Sequence, residues 1–407
     1  IRKGALPDHV KGVAGNQAQE TTILNTKYVV TNTLNVNKVF GDHFMQGIVG
    51  QSYEYTRERL NAVAGDDFFS PDLVGVGAAR SKRVISAYSQ QSALFSAFAR
   101  LNYQYRMKYM LGLTYRIDGS SRFNRSHRYL GTPSVSAGWR MSNERFFRKA
   151  LPFINQAKLR ASFGVSSKDG NNSYYGAQAT YKLNSAVNYG DRNYLQMSQP
   201  GNDNLNWEHT LTWNGGLDLE AFKSRLKLTL DYYYKKTTNM LFPSNLPLYT
   251  GYKKENQNIA DMMNSGLDLQ IISENIVGKN FGWQTVLNVS TTTNKILKLN
   301  FEGNQLDQLN SSFKYYQEGK AAAQWYLHRW AGVDPNTGDP LWTYADGTQS
   351  TVPPAANNET SQLNKFVCGT ALPTVYGSIS NSLTYRNFEL DIFFNYALGS
   401  HVINATR

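Results

Sequence analysis

The side chains that could hold a metal ion are too widely spaced in this sequence to form a recognisable site. No two of the six histidines have the H-x-H, H-x-x-x-H or H-E-x-x-H spacing that aims two imidazoles at one metal ion. The single cysteine, Cys368, has no partner among the 407 residues, which excludes a disulfide scaffold and a Cys-rich zinc or iron–sulfur site. The histidines are His9, His43, His127, His209, His328 and His401. We expect neither a metal nor a cofactor.

Three short motifs resemble ligand-binding loops without completing one. Residues 73–80 have the first two glycines of a dinucleotide loop, but Arg80 stands at the third position and no βαβ unit follows, so we interpret them as a flexible loop. Residues 334–339 space oxygen ligands somewhat like a calcium loop, but they lack the downstream bidentate Glu, which favours a Pro/Gly turn. The pair Asp66–Asp67 resembles paired acids or calcium ligands, although a solvated loop is the simpler expectation.

Two regions are rich in aromatic rings and amides. Flat rings beside Asn and Asp suit sugar rings or peptide chains, which need apolar stacking together with fixed hydrogen bonds. For any one ring, packing of the loops against each other is the commoner role. The substrate-binding candidates are Tyr174, Tyr175, Trp325, Trp330, Trp342 and Tyr344.

Alternation of apolar and polar residues dominates the chain and shows which elements carry these side chains. Across residues 157–165 every odd position is apolar and every even one is polar or Gly, which is typical of a strand with two unlike faces. Residues 97–105 and 109–117 share the pattern and are separated by only three residues, so they predict a tight hairpin. Nine more segments have the pattern, near 28–37, 44–53, 133–140, 207–219, 226–234, 264–273, 283–293, 375–385 and 388–396. We therefore predict twelve strands.

Short and long links between these strands alternate. The short or medium links lie near 38–43, 106–108, 141–156, 220–225, 274–282 and 386–387. The long links lie near 54–93, 118–132, 166–206, 237–263 and 294–374. Outer-membrane barrels have this order, with brief periplasmic turns and extended outer loops, and ten residues tilted by roughly 40° rise about 25 Å, the height of their apolar band. We predict an all-β fold: a portion of a transmembrane antiparallel up-and-down β-barrel.

In such a barrel the apolar face meets lipid and the charged face lines the lumen, because a charge at mid-bilayer depth is costly. The lumen-lining candidates are Arg116, Lys158, Arg160, Asp231 and Asp391. Aromatic residues near strand ends, among them Tyr109, Tyr115, Trp207 and Tyr232, are candidates for the ring of aromatic side chains at the lipid headgroups.

The charge balance excludes other classes of protein. There are 42 Lys and Arg residues against 30 Asp and Glu, a net charge of +12, but the excess is spread singly apart from the short run at residues 80–83. Nucleic-acid binding is therefore disfavoured. No apolar run approaches the roughly 20 residues of a membrane helix. The positive charge could neutralise lumen carboxylates or acidic lipopolysaccharide, or favour an anionic cargo.

Whole motifs of the chain resemble those of a known protein family. The resemblance runs from about residue 25 to the end. The clearest match comprises 101–103 (LNY), 108–109 (KY), 116–123 (RIDGSSRF) and 133–140 (PSVSAGWR). Supporting matches are 158–164 (KLRASFG), 204–208 (NLNWE), 231–233 (DYY), 264–266 (NSG) and 333–340 (VDPNTGDP). In these motifs the chain resembles the SusC/RagA-like family of TonB-dependent outer-membrane transporters of Bacteroidota.

The resemblance implies a barrel of about 22 strands filled by a plug domain. It also implies a SusD-like surface lipoprotein as a lid, energy from the TonB–ExbB–ExbD complex through the plug, and a location in the outer membrane of a Gram-negative bacterium among its lipids and lipopolysaccharide. The cargo in the family is an oligosaccharide or a peptide. We expect residues 1–407 to be a partial barrel, with the plug and the final strands outside them.

The predicted function is therefore TonB-dependent import without catalysis. A passive porin or a surface adhesin built on a barrel is the alternative. An outer-membrane lipase or protease is disfavoured because the chain has no Gly-x-Ser-x-Gly motif and no Ser/His/Asp set that spacing singles out.

Overall fold

A computed structural model describes residues 2–4, 17–68, 75–170, 174–189, 192–252, 254–299, 314–354 and 364–403. In these ranges the only α-helix is α1 (Arg145–Ala150), and short 3-10 helices lie at Val76–Ala78, Arg125–His127, Met141–Asn143 and Leu248–Thr250. No helix in the described part of the chain is long and apolar enough to span a bilayer.

Antiparallel strands make up almost all of the structure. In chain order they are β1 (Arg2–Gly4), β2 (Gln17–Phe40), β3 (His43–Phe68), β4 (Ala79–Tyr105), β5 (Tyr109–Ser120), β6 (Tyr129–Arg140), β7 (Ile154–Lys168), β8 (Thr180–Tyr189), β9 (Arg192–Gln199), β10 (Glu208–Ala221), β11 (Leu226–Asn245), β12 (Lys254–Val277), β13 (Phe281–Thr291), β14 (Thr293–Leu299), β15 (Lys314–Tyr315), β16 (Gln324–Val333), β17 (Pro340–Thr343), β18 (Gln349–Ser350), β19 (Lys365–Thr370), β20 (Val375–Tyr385) and β21 (Phe388–Leu398). All twelve predicted strands are present.

The main sheet has 14 strands and runs in chain order from β1 to β21, with two insertions. The hairpin β8–β9 is inserted between β7 and β10, and a five-stranded sheet, β15–β19, is inserted between β13 and β20. Strand β14 continues the line of β13 along β12. This is the up-and-down order predicted for a barrel wall, and its last strand, β21, pairs within the described residues only with β20.

Six tight connections lie together at one end of the sheet. They comprise residues 41–42, 106–108, 141–153, 222–225, 278–280 and 386–387, and we call them the short-turn rim. Backbone hydrogen bonds join each turn to a neighbour, as from Arg106 N to Asp42 O (2.8 Å) and from Phe222 N to Phe153 O (2.8 Å). Because short turns of outer-membrane barrels face the periplasm, this end is the periplasmic one.

The predicted long links are partly wrong, since several of them are strand. Strands β3 and β4 contain 26 and 27 residues, so only residues 69–78 separate them along the chain. Much of 118–132 and 237–263 is likewise strand. Twenty-seven residues far exceed the roughly ten needed to cross the apolar band, so these strands extend beyond the membrane. There both faces meet water, and the alternation that predicts a strand disappears.

Asp66 and Asp67 lie on this extension, not in a solvated loop. Asp66 Oδ2 is 3.3 Å from Arg83 Nε, and Asp67 Oδ2 is 3.8 Å from Arg80 Nη1 on the neighbouring strand. Two of the three basic residues of the run at 80–83, Arg80 and Arg83, therefore face acids across the sheet. The 3-10 helix Val76–Ala78 ends the connection, and residues 73 and 74 lie outside the described ranges.

The two faces of the sheet differ as predicted. We call the face carrying Leu159 the outer face and the face carrying Arg160 the inner face. On the outer face Leu159 is 46% exposed and Leu390 is 58% exposed, so the described residues leave about half of each side chain uncovered. On the inner face Arg160 and Asp231 are joined by an ion pair. Uncovered leucines on one side and paired charges on the other fit a wall between lipid and water.

Buried apolar side chains form one cluster in the long connections and another on β12 and β14. Phe123, Leu205 and Trp207 form one cluster with Ala177, and the rings of Phe123 and Trp207 lie 5.0 Å apart. The indole N–H of Trp207 donates to His127 O at 3.0 Å. The prediction that Trp207 lies at the lipid headgroups is therefore wrong, since this ring is 3% exposed and anchors the outer loops.

Candidate functional site

Cross-strand register places Arg160, Gly216 and Asp231 side by side on the inner face. Gly216 on β10 pairs with Arg160 on β7 and with Asp231 on β11. Residues directly opposite one another in a sheet share a face. Arg160 and Asp231, predicted separately as lumen-lining residues, are therefore separated by a single glycine.

Arg160 forms a charge network across three strands. Its Nε and Nη2 donate to the two carboxylate oxygens of Asp218 at 2.8 and 2.9 Å, and Nη2 also donates to Asp231 Oδ2 at 3.0 Å. Such two-point Arg–carboxylate contacts are among the stronger hydrogen bonds and fix the orientation of both groups. The network ties β7, β10 and β11 together and neutralises part of the inner charge.

Gly216 makes room for this network. A Cβ at this position would overlap Asp231 Oδ1 and lie 2.7 Å from Arg160 Nη2. A side chain there would push the guanidinium away from Asp231. Asp231 Oδ1 is itself buried without a hydrogen-bond partner among the described residues.

Lys158 lies on the same face, one step nearer the short-turn rim. It is opposite Asp218 on one side and Arg140 on the other. Lys158 and Arg160 line a cavity of about 390 Å³ together with small polar side chains such as Ser136, Ser162 and Asn102. This patch presents cations beside hydroxyl and amide groups, which suits polar groups of a cargo or of another protein segment.

A second charged cluster lies on the inner face, further from the short-turn rim. Arg116 Nε donates to the two oxygens of Asp118 at 2.8 and 2.9 Å, and its Nη2 donates to Ser96 Oγ at 2.7 Å. Ser96 Oγ donates in turn to Asp118 Oδ1 at 2.5 Å. Ser96 and Asp118 are buried, whereas the Arg116 side chain remains 41% exposed.

Asp391 is apart from these clusters. It lies on β21 opposite Ser382, and register places it on the inner face with Asp231. It is exposed and makes no ion pair with a described residue. The five lumen candidates therefore share a face, but only Lys158, Arg160 and Asp231 lie together.

The aromatic candidates divide between two outer regions. Tyr174 stacks against the Arg122 guanidinium at 5.1 Å, and the Tyr175 hydroxyl accepts a hydrogen bond from Gln91 N at 3.3 Å. Both tyrosines therefore hold the connection after β7 against β4 and β5. This is the packing role, and their contact with substrate remains a prediction.

The other four candidates lie on or beside the inserted five-stranded sheet. Trp325 Nε1 donates to His401 O at 2.6 Å and the Tyr344 hydroxyl to Val352 O at 3.0 Å. Trp330 and Trp342 are register partners with their rings edge to face at 5.8 Å. Trp330 remains 49% exposed, so its ring is open for stacking.

In the described ranges no three His, Cys, Asp or Glu side chains converge on a point that could bind a metal ion. Residues 334–339 form the predicted turn, in which Gly338 N donates to Asp334 O at 2.9 Å and Asn336 N to Asp334 Oδ1 at 2.8 Å.

A meandering sheet with an uncovered apolar face, a charged inner face and tight turns at one end defines the wall of an outer-membrane β-barrel. The family model for the TonB dependent receptor-like beta-barrel matches residues 6–397. The chain belongs to this family, which places it in the outer membrane of a Gram-negative bacterium.

Curated relatives share this assignment. TonB-dependent receptor P3 of Formosa agariphila is 31% identical over 406 residues, covering 94% of this chain and 39% of the relative. TonB-dependent receptor SusC of Bacteroides thetaiotaomicron is 28% identical over 334 residues, covering 78% of this chain and 32% of SusC. The chain thus spans well under half the length of these relatives.

Among solved structures the RagAB peptide transporter has the same fold. The match has a TM-score of 0.78 at 23% identity and covers 94% of this chain and 42% of the other. The open-open state of the RagAB peptide importer matches with a TM-score of 0.80 at the same identity, over 95% of this chain and 42% of the other.

Proposed function

We propose that the protein containing this chain is an outer-membrane importer that takes up oligosaccharides or peptides in a TonB-dependent manner together with a SusD-like surface lipoprotein. The observation that carries the proposal is that a chain of the TonB-dependent receptor family presents a charged, hydrogen-bonded inner wall. A polar wall provides a route on which a polar cargo can exchange water for protein hydrogen bonds.

The charged side chains of the inner face are of two kinds: those held in ion pairs and those without an ion-pair partner among the described residues. Arg160 holds Asp218 and Asp231 and keeps the wall rigid. Lys158 makes no ion pair with a described residue, so its ammonium is open to a carboxylate or hydroxyl group passing along the lumen. Such weak and exchangeable contacts permit passage, whereas a tight site would retain the cargo.

Two classes of cargo fit the outer region. The exposed Trp330 ring offers a flat stacking surface, and Arg329 lies beside it on the same strand with its guanidinium 5.8 Å from the Phe366 ring. A ring stacks on sugars and on peptide side chains alike. Because this surface favours neither class over the other, both stay in the proposal.

In our proposal the further barrel strands, the plug and the partner proteins lie outside this chain. The match to well under half of the relatives' length leaves room for the further barrel strands and the plug. Unpaired edge groups in lipid are costly, so further strands would pair with the free edge of β21. The plug would contact the TonB–ExbB–ExbD complex, and the SusD-like lipoprotein would cover the outer loops.

Uptake with and without TonB tests the function. The full-length protein is expressed in a Bacteroidota host that lacks its own copy, and depletion of defined oligosaccharide and peptide mixtures is followed by mass spectrometry. We expect depletion of one class only, abolished when TonB is deleted, and co-purification of a SusD-like lipoprotein. The protein without TonB in liposomes should not conduct ions.

Other outcomes contradict the proposal. Conductance without TonB would identify a passive porin, and surface binding without uptake would identify an adhesin.

A change at Trp330 locates the cargo contact: Trp330→Ala should lower cargo binding by about tenfold, as for a stacked aromatic anchor. Tyr249, which is 90% exposed in another outer connection, provides the matched control Tyr249→Ala, for which we expect no change.

A further inference from the structure

The net charge of the chain is concentrated at its periplasmic end. The short-turn rim contains nine Lys or Arg residues and two acidic ones, a net charge of +7 against +12 for all 407 residues. Both acids are paired within the rim, since Asp42 Oδ2 is 2.6 Å from Arg106 Nε and Glu144 Oε2 is 2.8 Å from Lys108 Nζ. Seven cations therefore remain.

Exposed apolar side chains accompany these cations. Met107 is 65% exposed, Phe146 is 62% exposed, and Phe153 and Phe222 stack on each other at 5.4 Å while remaining 46% and 55% exposed. Aromatic and basic side chains side by side are typical of a surface at the membrane interface, where the rings reach the acyl boundary and the cations meet phosphate groups.

Several large side chains of the rim stand on backbone in the left-handed region. Phe222, Lys223 and Ser224 follow one another at φ values of 56°, 58° and 64°, and Arg106 and Met107 have φ values of 49° and 52°. Glycine or asparagine adopts this left-handed region with less strain. Large side chains in strained positions point to a function of the side chains themselves.

We propose that the short-turn rim binds the phosphate headgroups of anionic phospholipids in the periplasmic leaflet. Lys223, Arg225 and Arg386 supply the cations, since all three are exposed and none forms an ion pair with a described residue. The stacked rings of Phe222 and Phe153 join two neighbouring turns and anchor them in the acyl boundary. The occupant is a phospholipid because the rim is at the periplasmic end, and the positive charge complements its phosphate.

Competition between two lipids tests the proposal. The full-length protein in neutral detergent is mixed with equal amounts of phosphatidylglycerol and phosphatidylcholine, and retained lipids are counted by native mass spectrometry. Because each cation near an anionic surface favours binding on the order of fivefold, we expect Lys223→Gln/Arg225→Gln/Arg386→Gln to lower the phosphatidylglycerol preference at least tenfold. The matched control, Lys82→Gln/Lys298→Gln/Lys320→Gln, removes three exposed cations far from the rim and should retain the wild-type preference.

A second variant separates folding from lipid binding. Phe222→Gly relieves the positive φ and removes the anchor, so it should unfold at a higher temperature in detergent while retaining fewer lipids. An unchanged lipid preference in the triple variant, an equal loss in the control, or full lipid retention by Phe222→Gly would overturn the proposal. None of these measurements depends on import.

Discussion

At Gly216 the absence of a Cβ lets one guanidinium cross a strand and join two carboxylates. Arg160 reaches Asp231 over this glycine, while Asp218 holds its other edge. A side chain at position 216 would block this contact, so the network depends on Gly216. Removal of Arg160 would leave two carboxylates facing each other. The adjacent Gly215 points to the outer face and has open space around it.

We predict that Gly216→Ala destabilises the barrel by about 1–3 kcal/mol, the range found when atoms are forced into an occupied site. Gly215→Ala is the matched control, because a Cβ there meets nothing within 4 Å. Unfolding in urea, followed by tryptophan fluorescence in detergent, measures both. Equal midpoints for the two variants would show that the Arg160 network tolerates displacement.

Glu144 in the rim links stability to pH. Hydrogen bonds from Lys108 and then Tyr109 lower the pKa of Glu144 below its usual 4.5. A lowered pKa in the folded state stabilises the fold above pH 4.5, and this contribution is lost as the pH falls through the folded-state value. We expect Glu144→Gln to be less stable than wild type at pH 7 and to lose less stability on acidification. Parallel pH profiles of the thermal midpoint would contradict this assignment.

At this scale the sequence predicted faces but not partners. Alternation placed Arg116, Arg160 and Asp231 on the polar side, because period two depends only on local backbone geometry. Asp218 and Gly216 were missed, although Asp218 also occupies a polar position between leucines. Their roles depend on cross-strand register, which alternation within one strand cannot supply.

The tight hairpins of the rim are the elements that hold the strands in register. Arg106 and Met107 both have positive φ values, the geometry of a two-residue turn for which Asn-Gly is the preferred sequence. The turn at 41–42 places a glycine, Gly41, at φ +55°. The two turns lie side by side and are joined by a backbone hydrogen bond.

We predict opposite effects from opposite exchanges in these two turns. Met107→Gly should stabilise the barrel by about 0.5–1 kcal/mol, because it relieves an unfavourable φ. Gly41→Ala should destabilise it by about 1 kcal/mol through strain alone, since a Cβ there meets nothing within 4 Å. Thermal unfolding in the same detergent compares them. The same sign of change in both variants would contradict the strain argument.

The strands within the membrane were the predictable elements of this fold. Each of the twelve has one apolar face, and lipid on that side makes the alternation strong. The outer halves of β3 and β4 were missed because, beyond the bilayer, water bathes both faces and residues such as Arg57 and Gln91 occupy strand positions. The burial of Trp207 was missed because it depends on loops that are distant in sequence.

The main sheet as a whole separates lipid on its outer face from water on its inner face. Its outer face leaves leucines and aromatic rings uncovered, and a groove on that face is lined by Val49, Leu101, Leu113 and Val135. Its inner face carries the paired charges. The location in the outer membrane, the proposed import route and the proposed lipid-binding rim all depend on this division.

Spin labels along β7 test the division most directly. In a background from which Cys368 and every other native cysteine are removed, single cysteines at each position from 158 to 165 are labelled in the full-length protein in lipid bilayers. Position 157 is left out because Ala157 is fully buried. Accessibility is then measured to oxygen, which dissolves in lipid, and to a nickel chelate, which stays in water. We predict oxygen maxima at 159, 161, 163 and 165 and nickel maxima at 158, 160, 162 and 164. Nickel maxima at 159 and 163 with oxygen maxima at 158 and 160, or no alternation at all, would contradict it.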